Sequence, residues 1–249
     1  MNPETLRGVD LKGQMDFHLH LFGRRNAIFL PGGLRDRVDY LSLGVADLHN
    51  AIRKNASPER MEGALARVIS RTFCVAEYIP GLPIVEGFAR KYPLDRCSYC
   101  EKKPCECEER RAASTLLSVP HEEQLAWSLR QWQEHLGALY GEKNQEKGVE
   151  YIFGRLYKET VELLSIALYI MSGKDHRTYE EIEEEVTLEC CDTLAWNLAV
   201  ANYYEIDSQE AFIRRYGDGC KSCGANPCVC TNHRMSLVSW EITDRALRW

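Results

Sequence analysis

The chain has 249 residues, 45% of them hydrophobic, enough for one large globular domain or two small ones. Its formal net charge of −6 and pI near 5.7 argue against a surface built to grip nucleic-acid phosphates, so no nucleic-acid partner is expected, and a small anionic ligand would need a metal or focused basic residues. No basic-then-apolar run opens the chain, and its longest apolar stretch, Leu163 to Met171, is broken by Ser165 and too short to span a bilayer; the expectation is a cytoplasmic protein with no membrane partner.

Near the N-terminus, Asp16-Phe17-His18-Leu19-His20 carries the spacing of the paired histidines that open amidohydrolase barrels. That fold needs further ligands at the ends of successive parallel strands, and the chain shows no alternation of strands and helices, so His18 and His20 are not read as a metal site.

Further along, the chain repeats itself. Cys97-Ser-Tyr-Cys100-Glu-Lys-Lys-Pro104-Cys105-Glu-Cys107 recurs as Cys220-Lys-Ser-Cys223-Gly-Ala-Asn-Pro227-Cys228-Val-Cys230, with each cysteine and the proline 123 positions on. Upstream of each tetrad sits a matching phrase, GFARKYPLDRC and AFIRRYGDGC, and LFGRRN (21–26) answers LYGEKN (139–144). The expected organisation is a tandem duplication: copies at 11–107 and 122–230, a linker at 108–121, and a tail at 231–249. Apolar residues three and four apart predict helices over Glu122 to Leu139, Val149 to Met171 and Tyr179 to Tyr204 in the second copy. Gly173 is a helix stop, and Thr178 with Glu181 fits an N-terminal capping box. The fold class expected is all-α.

Two of these helices bury acids. Ile152, Leu156, Glu159, Leu163, Ile166 and Ile170 form one stripe; Ile182, Val186, Glu189, Thr193, Trp196 and Val200 form the other. An ionised carboxylate on an apolar face is strongly disfavoured unless a cation or hydrogen bonds compensate it. Glu162 and Asp192, each three residues past its partner, complete a pair of acids on each helix surface. Four carboxylates with no histidine suit Mg²⁺ or Mn²⁺ rather than zinc or copper. Glu180, Glu181, Glu183, Glu184 and Glu185 read as solvated surface.

ETVE (159–162) followed after 26 residues by ECCD (189–192) resembles the ExxE…ExxD signature of the MazG-like all-α nucleoside triphosphate pyrophosphohydrolases, and the segment from Trp132 to Gly173 is similar to that family too. The resemblance covers the second copy and, more faintly, the first. It implies a helical fold related to the dimeric dUTPases, Mg²⁺ on Glu159, Glu162, Glu189 and Asp192, and hydrolysis of a (d)NTP to the monophosphate and pyrophosphate. A divalent cation would neutralise phosphate charge, orient the α-phosphorus and lower the pKa of an attacking water, with Glu159 or Glu162 taking its proton. The resemblance also implies that Trp196 stacks on the nucleobase and Asn144 contacts ligand; core packing and helix capping are the alternatives for these two. Lys143, Arg214 and Arg215 are candidates for phosphate contacts, against the alternative of solvated surface. A homodimer is compatible with the family.

The first copy departs from this pattern. Aligning DYLSLGVADLHNAI (39–52) on the first acid helix puts Gly44 at Glu159's place and Asp47 at Glu162's. With the cysteine offset, Ala66 and Ile69 stand for Glu189 and Asp192, so one metal centre per chain is expected, the degenerate copy serving as a built-in partner.

Without an export signal, the eleven cysteines point to metal ligands and buried thiols rather than disulfides. Four thiolates within 11 residues suit a closed tetrahedral zinc site, one on Cys97, Cys100, Cys105 and Cys107, the other on Cys220, Cys223, Cys228 and Cys230. Cys74, Cys190 and Cys191 read as small buried residues. Competing readings are a carboxylate-bridged di-iron bundle, disfavoured because Glu-x-x-His pairs are missing, and a non-catalytic nucleotide sensor or zinc-bearing interaction module.

Overall fold

The computed structural model describes residues 2–107 and 118–230. The expected linker falls mostly, and the expected tail wholly, outside the described residues.

Ten helices and no strand are found among the described residues: α1 (Pro3–Arg7), α2 (Leu11–Phe29), α3 (Leu34–Arg53), α4 (Pro58–Ala76), α5 (Ile84–Lys91), α6 (Glu122–Leu125), α7 (Leu129–Lys147), α8 (Val149–Ser172), α9 (Tyr179–Tyr203) and α10 (Ser208–Tyr216). No helix is long and apolar enough to cross a membrane. The helix expected from Glu122 to Leu139 is split. Ala126 ends α6, and Ser128 opens α7 with a capping box in which its hydroxyl accepts from the Gln131 backbone N–H while Gln131 accepts from the Ser128 N–H. The expected box of Thr178 and Glu181 starts α9, and Gly173 ends α8 in the left-handed region at φ 64°.

Hairpins α3–α4 and α8–α9 form the centre, with α3 against α8 and α4 against α9. Short helices then cross over: α5, from the first half, packs on α9, and α10, from the second, packs on α4. The cysteine loops cross in the same sense. Cys105 N–H donates to the Leu139 carbonyl on α7, and Cys228 N–H to the Leu21 carbonyl on α2. Each half therefore covers apolar surface of the other, and one continuous core runs through Leu41, Leu65, Ile69, Phe88, Trp132, Leu156, Leu163, Leu194 and Phe212.

Candidate functional site

Helices α8 and α9 bring the four acids together. Oxygens of Glu159, Glu189 and Asp192 all lie within 4.8 Å of one another, and Glu162 shares the Lys158 ammonium with Glu159. The α8 stripe buries Ile152, Leu156, Leu163 and Ile166 with Glu159, which is 2% exposed; Ile170 instead projects past the core. On α9 the buried face is rotated slightly from the expected stripe, toward Val186, Cys190, Thr193, Leu194, Asn197 and Val200. Glu189 and Asp192 consequently stand at its margin, half-buried. Glu189 Oε2 is buried with no hydrogen-bond partner.

Crowding shapes the protonation of the site. Burial, the hydrogen bond with Glu162 and the charge of Asp192 push the Glu159 carboxyl up to about 7. Burial, with repulsion from Asp192 and Glu162, pushes Glu189 up to about 8 against the pull of Lys91. Burial would raise Glu162 too, but hydrogen bonds with Glu159 and Lys158 and the Lys158 charge outweigh it and hold that group below its ordinary value. Lys158 Nζ lies 2.6 Å from both Glu162 oxygens and 3.4 Å from Glu159 Oε2, while Arg155 is 3.6 Å from Glu159 Oε1.

The first half reaches into this site through α5. Lys91 Nζ sits 2.5 Å from Asp192 Oδ2, and the Tyr92 hydroxyl donates to Asp192 Oδ1 at 2.5 Å. Arg90, one residue earlier, pairs with Glu184 at 2.8 Å. Neither Lys91 nor Tyr92 stood out in the sequence. The signal was the recurrence of Arg-Lys-Tyr as Arg-Arg-Tyr before each cysteine tetrad, which reads as a helix end until the crossover is seen.

A cleft of about 380 Å³ opens beside the acids, within the size range of small-molecule sites. It is lined by Glu162, Ile166, Tyr169, Glu185 and Glu189 and by Lys174, His176 and Arg177 of the α8–α9 loop. Arg177 is paired with Asp175 and Glu185, whereas Lys174 has no acidic partner among the described residues.

The other sequence candidates fall elsewhere. Trp196 is partly buried one turn past Asp192, with the Arg155 guanidinium 5.5 Å from its ring centroid and Tyr151 edge-on at 6.2 Å. Lys143 does not line the cleft: it donates to the Cys107 carbonyl at 2.5 Å, holding the first cysteine loop. Asn144 is half-buried near the end of α7, outside the cleft lining. Arg214 pairs with Glu62 at 2.5 Å, and Arg215 donates to the Tyr216 hydroxyl at 3.2 Å. His18 is a buried bridge between Glu77 and Ser70, the latter at 2.8 Å. Burial pushes the Cys190 and Cys191 thiols well up, and Cys74 up to about 12, as expected of inert packing residues.

The reciprocal ion pairs Arg90–Glu184 and Arg214–Glu62 place Glu62 of α4 and Glu184 of α9 in matching roles. Their offset is 122 rather than the 123 of the cysteines, and counted at 122 the positions matching Glu189 and Asp192 are Arg67 and Ser70 rather than Ala66 and Ile69. Gly44 is small for a reason: a Cβ there would lie 2.9 Å from Arg71 Cδ.

Each cysteine tetrad is gathered into a cluster. In both, the four sulfurs lie within 4.8 Å of one another, with near pairs at 3.7 and 4.0 Å in the first and 3.8 Å in the second. A tetrahedral ion with zinc–sulfur bonds of about 2.3 Å sets its sulfurs about 3.8 Å apart. Both clusters can therefore hold a metal such as zinc. Backbone N–H groups of Tyr99, Glu106 and Cys107 donate to the Cys97, Cys100 and Cys105 sulfurs at 3.4 to 3.5 Å, and against the effect of burial, backbone hydrogen bonds lower the Cys100 thiol to about 7. Backbone hydrogen bonds from Ala225 and Val229 likewise lower Cys223 to about 6.

Compared with protein-family models, curated proteins and solved structures, the chain matches none.

Proposed function

We propose that this protein is a Mg²⁺-dependent nucleoside triphosphate pyrophosphohydrolase of the MazG-like type, built as a tandem duplication in which only the second copy is catalytic. The observation that carries the reading is the buried, unpartnered Glu189 Oε2 in a group with Glu159 and Asp192 whose oxygens lie within 4.8 Å. When all are ionised, the four carboxylates carry one more charge than Lys91, Lys158 and Arg155 balance. The donors fit a hard cation: an octahedral ion with bonds of about 2.1 Å spans opposite oxygens at about 4.2 Å, so a small inward movement closes the cage.

When bound, Mg²⁺ or Mn²⁺ would neutralise phosphate charge and acidify a coordinated water. The chain's own residues would do the rest. Lys174 and His176 meet the phosphates entering the cleft. Glu162, which lines that cleft, takes the proton of the water whose oxygen attacks the α-phosphorus. Glu159 lies sealed beneath as an inner ligand. The α–β anhydride bond breaks, the new bond to water oxygen gives the monophosphate, and pyrophosphate leaves. Trp196 remains the residue proposed for base contact, Asn144 one proposed to contact ligand, and Lys143 a structural tie.

The duplication is supported by the recurring order of helices and by the paired crossovers, Cys105 on Leu139 and Cys228 on Leu21. Zinc in both clusters would lock those crossovers. A cytoplasmic setting is in keeping with free cysteines, and two chains could associate as in related enzymes.

Incubation of the purified protein with each (d)NTP and Mg²⁺ tests the reading through release of pyrophosphate. Turnover of at least one nucleotide is expected. No turnover with any, together with unchanged nucleotide affinity in Glu159→Ala and Asp192→Ala, would leave a non-catalytic sensor or a zinc-bearing interaction module as the better account.

A further inference from the structure

The first half does not merely lose the acid site; it reverses the sign of the charge there. The position that matches Glu189 holds Arg67, and the one that matches Lys91 holds Arg215. Asp47, in Glu162's place, is contacted by Arg67 and lies 2.6 Å from Arg60. Arg215 and Arg67 converge: a Cβ built on Gly63 would find Arg215 Nη1 at 3.5 Å and Arg67 Nη1 at 3.9 Å. Two guanidiniums thus hold the one carboxylate and a third lies beside Arg67, an excess of two positive charges.

That excess is not spent inside the protein. Arg67 Nε is buried with no hydrogen-bond partner. Arg215 has only the Tyr216 hydroxyl and ring as partners among the described residues. The nearby Glu62 is already paired with Arg214. Burial holds the Arg67 guanidinium below its usual value, Asp47 opposes this, and Arg215 and Arg60 deepen it. Like charges held together at a cost, with unused donors, are the arrangement of an anion site, and planar guanidinium forks match phosphate oxygens in pairs.

We propose that Arg60, Arg67 and Arg215 form a binding site for a small polyphosphate anion, in the half of the molecule that lacks the carboxylates. The site is independent of catalysis: it needs no metal, and it stands whether or not the second half hydrolyses nucleotides. Asp47 serves it by fixing two of the guanidiniums. An effector bound there would touch α4, which packs on α9 and so adjoins the helix that carries Glu189 and Asp192.

The test is calorimetric titration of the full chain with inorganic pyrophosphate in Mg²⁺-free buffer of physiological ionic strength. Binding of one pyrophosphate per chain is expected, weakened at least tenfold in Arg67→Gln and in Arg215→Gln. Arg215 is partly exposed, so its variant remains informative where Arg67→Gln folds poorly. Lys12→Gln, which removes an exposed positive charge near the start of α2, should leave the affinity unchanged. Absence of binding to the wild-type chain, equal affinity in Arg215→Gln, or an equal loss of binding in Lys12→Gln would each overturn the proposal.

Discussion

Lys91, the last residue of α5, holds its ammonium 2.5 Å from Asp192 Oδ2, 101 positions later in the chain. The two side chains are 8% and 16% exposed, so this ion pair is largely shielded from water. It ties the half without the acids to the half with them.

Replacing Lys91 by Met keeps most of its volume and strands Asp192 with the Tyr92 hydroxyl alone. Removing one partner of such a pair costs on the order of 3 kcal/mol. If Asp192 is a metal ligand, Mg²⁺ offsets part of that loss by taking over the counter-charge. Urea unfolding of wild type and Lys91→Met, with and without Mg²⁺, should show the smaller difference with the ion. An equal difference in both buffers would make Lys91 a purely structural residue.

Glu159 and Glu189 carry folded-state pKa values raised to about 7 and about 8, above their unfolded values near 4.5. The folded protein therefore binds more protons than the unfolded chain between about pH 4.5 and 8. The stabilisation from these two groups is full below pH 4.5 and is lost as pH rises through 7 to 8. In Mg²⁺-free buffer, wild type should lose thermal stability over that window relative to Glu189→Gln, whose side chain does not titrate. Added Mg²⁺ should stabilise wild type more at pH 8 than at pH 6, because it binds the deprotonated acids. A wild-type profile parallel to that of Glu189→Gln would contradict the assignment.

The cysteine clusters predict one zinc each. Metal analysis of the purified chain should find both, and Cys100→Ser should lose one. Because each loop is hydrogen-bonded to a helix of the opposite half, through Leu139 or Leu21, chelation should lower the melting temperature and speed hydrogen exchange in α2 and α7. Unchanged exchange there on metal removal would mean that the loops are passengers.

Thr178 caps α9 beside the cleft, accepting from the Glu181 N–H at 3.2 Å while Glu181 accepts from the Thr178 N–H at 2.7 Å. Thr178→Ala should cost about 1 kcal/mol, a fall of roughly 2–4 °C in Tm for a chain of this size. Because the cap borders the loop that bears Lys174 and His176, KM for the nucleotide should rise more than kcat falls.

Much of the site was legible because the signal was local. Glu159 and Glu162 share one helix turn, as do Glu189 and Asp192, and period alone places each pair on one surface. The helix stop at Gly173 and the cap at Thr178 were readable for the same reason. The break at Ala126 was not, since Trp127 and Leu129 continue an apolar pattern across it, and only the Ser128 cap decides the matter. Lys91 and Tyr92 were invisible because their role depends on α5 crossing to α9, a long-range choice that no spacing encodes. Lys143 misled by proximity to a ligand-like Asn144, when the carbonyl of Cys107 in the first cysteine loop was its partner. The one-residue slip that hid Arg67 behind Ala66 came from carrying the cysteine offset through segments of unequal length: α4 has 19 residues and α9 has 25.

The central claim is that the carboxylates of α8 and α9 direct water to the α-phosphorus of a nucleoside triphosphate. Phosphorus NMR of a reaction containing the protein, Mg²⁺ and its preferred nucleotide reads this directly, run beside the same reaction with Glu159→Gln. The account predicts nucleoside monophosphate and pyrophosphate as the only products, formed at least a hundredfold more slowly by the variant. Diphosphate and inorganic phosphate as products, or equal rates from the two proteins, would contradict it.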